Sequence, residues 1–151
     1  MTKEFISCLM HVVVGTYRQK NFLTPDIVTQ LSVYLSAVAK SKGMNMVVLG
    51  GTENHVHILL ALPSKLSVES AIISLKQSST TWLRQKSELL RSFSWSTGFA
   101  AFSISRSQID STLSYIQNQE RYHVYKSFRE EYLEFLDFHH LPYKDSSIFD
   151  E

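Results

Sequence analysis

The sequence predicts an α+β fold: a four-stranded antiparallel sheet with helices on one face, built from split βαβ units. Three observations predict it. Strand-like and helix-like segments alternate in the order β α β β α β, followed by two further helices. The second and third strands are joined by "GTEN", which has turn chemistry. The third strand, "HVHILLAL", splits by alternation into two unlike faces.

The first strand is read over 5–17, "FISCLMHVVVGTY", which alternates and is β-branched. A helix follows in "TPDIVTQLSVYLSAVAKSKG". Thr24 fits the N-cap, Pro25 the first helical position and Gly43 the stop. Ile27, Leu31, Tyr34, Leu35 and Val38 recur at helical spacing. "MNMVVLGG" is the second strand, and Pro63 ends the third. Ser67 caps a long second helix whose stripe holds Val68, Ile72, Leu75, Ser79, Trp82 and Leu83. "SELLRSFSWSTG" is a looser connection, and "FAAFSIS" is the fourth strand. Ser107-x-x-Asp110 opens a third helix through residue 123, and Ser127-x-x-Glu130 opens a fourth, "FREEYLEFLDFHH". Pro142 stops it, and an acidic tail finishes the chain. This order is that of a ferredoxin-like sheet, with an added third helix and a C-terminal helix that must cover something else.

The 151 residues fit a single domain over 1–151, with a core at 5–125 and a C-terminal helix and tail at 127–151. Apolar residues make up 44%, a globular proportion, and no apolar run approaches the ~20 residues of a membrane span. The start "MTKEFISCLMHVVVG" lacks a small-residue cleavage site and is not read as a signal peptide. Cys8 is the only cysteine, so an intrachain disulfide is excluded and a reducing cytoplasm is the expected compartment. With 15 basic against 14 acidic residues there is no global attraction to nucleic acid. Phosphate binding would need a local basic face.

In the third strand Val56, Ile58, Leu60 and Leu62 share the face expected to meet the helices. His55, His57, Leu59 and Ala61 share the other. That places two imidazoles within reach of one metal ion. Taken alone, an H-x-H pair is weak, and two solvated histidines would explain it equally well. The third helix adds a second observation. Ile109, Leu113 and Ile116 form its core stripe, and Tyr115 lies about 120° from the stripe's centre. Gln119, at i+4, faces the same side as Tyr115. Of the seven tyrosines only Tyr115 has a glutamine at that spacing. Two imidazoles and an amide oxygen with open positions suit a divalent cation such as Mg²⁺ or Mn²⁺. A structural zinc site is not expected, because the chain has no Cys-x-x-Cys. A phenol of pKa near 10 is only about 0.1% ionised at pH 7, so Tyr115 as a nucleophile needs an electrophile polarised by such an ion.

"HVH" in a strand followed by "YIQNQ" on a downstream helix resembles the single-tyrosine HUH transposases. These are the insertion-sequence-two-hundred-like group, and the REP-associated tyrosine transposase branch is the nearest. "TYRQKNFL", "GGTENHVHILLAL", "LKQSSTTW", "WSTGFAAFSIS" and "SYIQNQERYHVYKSFREEYLEFLDFHHLPYKD" carry the resemblance over nearly the whole chain. It implies cleavage and rejoining of single-stranded DNA beside a hairpin, through a covalent phosphotyrosine that conserves the bond energy and needs no ATP. Tyr115 matches the nucleophile, His55 and His57 the paired metal ligands, and Gln119 the third ligand, with His123 one turn further on the same face. The resemblance also implies a homodimer in which active sites can be shared between chains, working in a bacterial or archaeal cytoplasm close to the nucleoid. Arg18, Lys20, Lys76, Arg84, Lys86, Arg106 and Arg121 lie nearest the matched motifs; about half are expected to touch phosphate, and all but Lys86 are the DNA-contact candidates. Tyr17, Phe22, Trp82, Trp95 and Phe99 are the stacking candidates, with Trp82 and Phe99 favoured as core. Three other readings stay open. One is a domesticated hairpin-binding protein without transposition. Another is a metal-dependent hydrolase with Tyr115 as a bystander. An RNA-binding sheet ranks lowest, for want of the Gly-aromatic signature.

Overall fold

The computed structural model describes residues 3–149; the last two acidic residues of the tail lie outside that range. Four strands, β1 (Leu9–Gly15), β2 (Asn45–Thr52), β3 (His55–Ala61) and β4 (Ala100–Ile104), form one antiparallel sheet in the order β2-β3-β1-β4. This is the split βαβ arrangement that the element order predicts. β3 sits inside the sheet between β1 and β2. His57 lies opposite Val13 on one side and Gly50 on the other.

Helices α1 (Pro25–Ser41) and α2 (Val68–Arg84) cover one face. Thr24 accepts from the Ile27 N–H at 3.2 Å, Pro25 occupies the first turn, and Gly43 takes φ +83° after the helix end. Ser67 caps α2 through the Ser70 N–H at 3.0 Å. Val12, Val14, Val56, Ile58 and Leu60 meet Leu31, Leu35, Ile72, Leu75 and Leu83 in the main core. Phe22 and Trp95 are buried in this core too, so neither is available for base stacking.

The opposite face is not open. Helices α3 (Ile109–Gln117), α4 (Gln119–Tyr122) and α5 (Phe128–Phe138) lie over it, and a second apolar cluster joins Val13, Ala100 and Phe102 to Phe128 and Leu136. The single helix expected over 107–123 is broken at Asn118, where φ −106° and ψ 25° leave the α region. It also starts one cap earlier than expected. Gln108 Oε1 accepts from the Ser105 N–H at 2.9 Å, so the box is Ser105/Gln108 and not Ser107/Asp110. The box Ser127/Glu130 forms as its spacing predicts, with the Glu130 N–H on Ser127 Oγ at 3.1 Å. The first strand is shorter than 5–17. After Thr16 the chain turns through Arg18 and Gln19, both at positive φ (54° and 56°). Among the described residues no helix is long and apolar enough to cross a membrane.

Candidate active site

Alternation along β3 puts His55 and His57 on the face away from α1 and α2, as the sequence predicts. Both are 0% exposed, because α3 to α5 enclose them. A solvated pair is thereby excluded, and each ring must be bonded. His55 Nδ1 is bracketed by Thr52 Oγ1 and Asn54 Oδ1, each at 3.0 Å, from the β2–β3 turn. Its Nε2 meets Gln119 Oε1 at 2.9 Å. His57 Nε2 meets Glu131 Oε1 at 2.9 Å, and its Nδ1 meets His11 Nε2 at 2.8 Å.

His123, after α4, completes the group. Its Nδ1 is fixed by the Lys126 carbonyl at 2.6 Å. Its Nε2 stands 3.0 Å from both Gln119 Oε1 and Glu131 Oε1. His55 Nε2 is 3.3 Å from Glu131 Oε1. Gln119 and His123 therefore both reach the same group of side chains. One atom from each of His55, His57, His123 and Glu131 can serve as a ligand, and these atoms lie within 4.8 Å of one another. Neighbouring ligands at ~2.1 Å from an octahedral ion stand roughly 3.0 Å apart, so separations of 2.9–3.3 Å suit a small divalent cation. The donors are imidazole nitrogens and a carboxylate oxygen with no thiolate among them, a set that could hold a divalent metal ion.

Glu131 is the member that spacing arguments missed. Its Oε1 faces the imidazoles. Its Oε2 accepts from Gln119 Nε2 at 3.0 Å and from the Tyr115 hydroxyl. A signal existed in the sequence. Phe128, Glu131 and Phe135 fall at i, i+3 and i+7, so a carboxylate occupies the apolar stripe of α5. A charge there is stable only if paired.

The electrostatics follow from this burial. Burial disfavours a charged Glu131, but hydrogen bonds from His123, His55 and His57 outweigh it and hold the carboxyl below its usual range. Burial pushes His57 down to about 4. Burial and the neighbouring His57 push His11 down to about 3. For His123, burial is outweighed by its bond to Glu131, and its pKa rises. Burial, then the bond to Glu131, pushes the Tyr115 phenol up. The site thus sets one buried anion among imidazoles, with the Tyr115 hydroxyl held protonated.

Tyr115 is half-buried in the wall of a cleft of about 450 Å³ between α3 and α5. The cleft is floored by His11, Phe102 and Glu131 and rimmed by Ser111, Thr112 and Phe138. The structure thus brings together Tyr115, Gln119, His55 and His57. The cationic candidates are spread wider. Arg18 and Lys20 are exposed beside the Tyr17 ring, at 5.2 and 6.0 Å from its centroid. Arg106 is exposed before α3, and Arg121 is exposed on a groove formed by α1, β2 and α4. Lys76 Nζ donates to the Ser96 and Gly98 carbonyls at 2.7 and 2.8 Å, and Arg84 Nε to the Phe93 carbonyl at 2.8 Å. These two hold the connection before β4 against α2. Lys86 lies 4.4 Å from the Trp82 ring centroid, and Trp82 itself stacks on Tyr34.

Comparison with known proteins agrees with this architecture. The family model for IS200-like transposases matches residues 4–119. A candidate transposase from Deinococcus radiodurans R1, with 20% identity, superposes with a TM-score of 0.60 over 79% of this chain and 98% of its own. A REP-associated tyrosine transposase, solved bound to a REP hairpin, has 16% identity and a TM-score of 0.54 over 77% of this chain and 68% of its own. No curated relative matches the sequence significantly. The match over 4–119 spans both histidines, Tyr115 and Gln119, and it establishes that the chain belongs to the IS200-like transposase family.

Proposed function

We propose that this transposase cleaves and rejoins single-stranded DNA beside a hairpin, with Tyr115 as nucleophile and a divalent cation held by His55, His57 and Gln119. The observation that carries the reading is the convergence of the Tyr115 hydroxyl, Gln119 and both histidines on one carboxylate, Glu131. His123 and Glu131 complete the donor set. Mg²⁺ or Mn²⁺ bound there supplies Lewis-acid polarisation of the scissile phosphodiester.

The chain's own residues do the rest. Tyr115 Oη forms the bond to phosphorus. Its proton leaves along the hydrogen bond to Glu131 Oε2, and the electron pair of the broken P–O bond goes to the departing deoxyribose oxygen. Rejoining reverses each step and returns the proton to Oη. Gln119 Nε2 donates to the same carboxylate oxygen, so Glu131 is held in place while it receives the proton. One chain can supply all of these groups, and exchange of α3 and α4 between two copies of a homodimer would supply the same set. Arg18, Lys20, Arg106 and Arg121 are the phosphate contacts of this reading, and the hairpin-bound structural neighbour supports hairpin DNA as substrate. A hairpin binder without cleavage remains the second reading, because the buried histidines are satisfied by Glu131 without a metal.

The test is incubation with hairpin-bearing single-stranded DNA, taken from the DNA that flanks the gene, in Mg²⁺ or Mn²⁺. A denaturation-resistant protein–DNA adduct is expected from the wild type. Tyr115→Phe should form none. Hairpin binding with neither adduct nor nicking supports the second reading. Turnover to free ends with Tyr115→Phe as active as wild type makes the protein a hydrolase.

A further inference from the structure

His11 is not among the residues matched to the family's site. It lies on β1, opposite Leu59 in the neighbouring strand, and is only 4% exposed. Its Nε2 stands 2.8 Å from His57 Nδ1, and its ring is packed by Phe102 and Phe135 edges, with centroids at 6.2 and 5.1 Å. Each of the other imidazoles at the site has its distal nitrogen on an oxygen: His55 on Thr52 and Asn54, His123 on a carbonyl. His57 alone is backed by a second, buried imidazole, which donates or accepts through the same nitrogen according to its tautomer.

That difference has a consequence when a cation arrives. In the metal-free site His57 Nε2 donates to the Glu131 carboxylate, so its Nδ1 is bare and accepts from His11 Nε2–H. A cation on Nε2 displaces that proton, and neutral His57 must then carry its proton on Nδ1. Its partner must now accept. A carbonyl could not serve the first state, and an ammonium could not serve the second.

We propose that His11 is a positioning residue for the metal site, exchanging donor for acceptor toward His57 as a divalent cation replaces the proton on His57 Nε2. The protons balance. Before loading, the two rings carry Nε2–H on His57 and Nε2–H on His11. After it they carry Nδ1–H on each, so the pair stays neutral and releases no net proton. The proton taken up at His11 Nδ1 can come through the cleft beside Tyr115, which His11 helps to line. An imidazole in place of a carboxylate behind His57 also leaves Glu131 as the only anion among the donors, so a loaded site keeps a net positive charge for the phosphodiester.

The inference rests on the metal-dependent reading, and the experiment separates the two. Mn²⁺ affinity of the full chain is measured by calorimetry for wild type, His11→Leu and His11→Gln. Ring-nitrogen NMR of ¹⁵N-histidine protein is recorded with and without Mg²⁺. His11→Leu matches the apolar surroundings but cannot hydrogen-bond, and should weaken Mn²⁺ binding roughly 10–100-fold when measured well below the variant's own melting temperature, so that the loss is not unfolding. His11→Gln can both donate and accept, and should stay within about threefold of wild type. Saturation with Mg²⁺ should move the protonated nitrogen of His11 from Nε2 to Nδ1. Equal Mn²⁺ affinity in wild type and His11→Leu, or an unchanged His11 tautomer at saturation, overturns the inference and leaves the function intact. A wild type that binds no Mn²⁺ overturns the metal-dependent function itself, and the inference with it.

Discussion

At the scale of single residues, the chemistry rests on groups that burial forces into pairs. His55, His57, Tyr115 and Gln119 were legible in the sequence because they recur at periods of two and four, and those periods put them on one side of a strand and of a helix. Glu131 showed only as a carboxylate in the apolar stripe of its helix; its meeting with His57 is made by the fold. The same burial sets a pH dependence for the metal-free protein. His57 and His11 bind protons less readily when folded, at about 4 and about 3, than the ~6.5 of an unfolded chain. The unfolded state therefore binds more protons below pH 6.5. The stability from keeping these rings neutral is complete above that value and is lost as pH falls toward the folded values. Between pH 7 and 5 the loss should be on the order of 2 kcal/mol per ring, and His11→Leu should remove its share. Urea midpoints across that range measure it. Because the raised pKa of His123 acts in the opposite direction, the deciding comparison is wild type against His11→Leu, and an equal pH dependence in the two would show that His11 is not buried neutral.

At the scale of elements, the sheet positions β3 and the helices bring the remaining donors to it. The two strand faces and the two large helices were readable from alternation and caps. The break at Asn118 was not, since "SYIQNQERY" keeps a helical pattern across it. What the helix meets at that point is β2. An added Cβ at Gly50 would lie 2.4 Å from the Ile116 carbonyl oxygen and 3.1 Å from Ile116 Cγ2. The glycine lets α3 approach closely enough to hold Tyr115 over the histidines. Gly50→Ala should cost about 1–3 kcal/mol and push α3 outward. It should therefore lower adduct formation by more than the fraction unfolded explains. Denaturant melts run beside adduct assays would separate the two effects, and wild-type behaviour in both would remove Gly50 from the account. The C-terminal helix was legible as a helix, from Ser127 and Glu130. Its place over the histidines depends on Phe128 stacking on His55, with centroids 4.1 Å apart, a contact no local pattern announces.

At the scale of the whole molecule, a net charge of +1 means that DNA must be held by a few cations and not by a broad field. Arg18, Lys20, Arg106 and Arg121 are exposed, while Lys76 and Arg84 are engaged by backbone carbonyls. A footprint of about three or four phosphates should weaken roughly 10- to 100-fold between 50 and 200 mM salt. Arg121→Ala should lower the salt slope by about one, as read by fluorescence anisotropy. A steeper slope would mean that further basic residues touch DNA. The central claim concerns one bond, between Tyr115 and a DNA phosphate. Digestion of the adduct formed in Mn²⁺, followed by mass spectrometry, locates that bond. The account predicts a nucleotide remnant on the peptide containing Tyr115, and its absence when His57 is replaced by alanine. A remnant on any other residue, or cleaved DNA with no modified peptide, would contradict it.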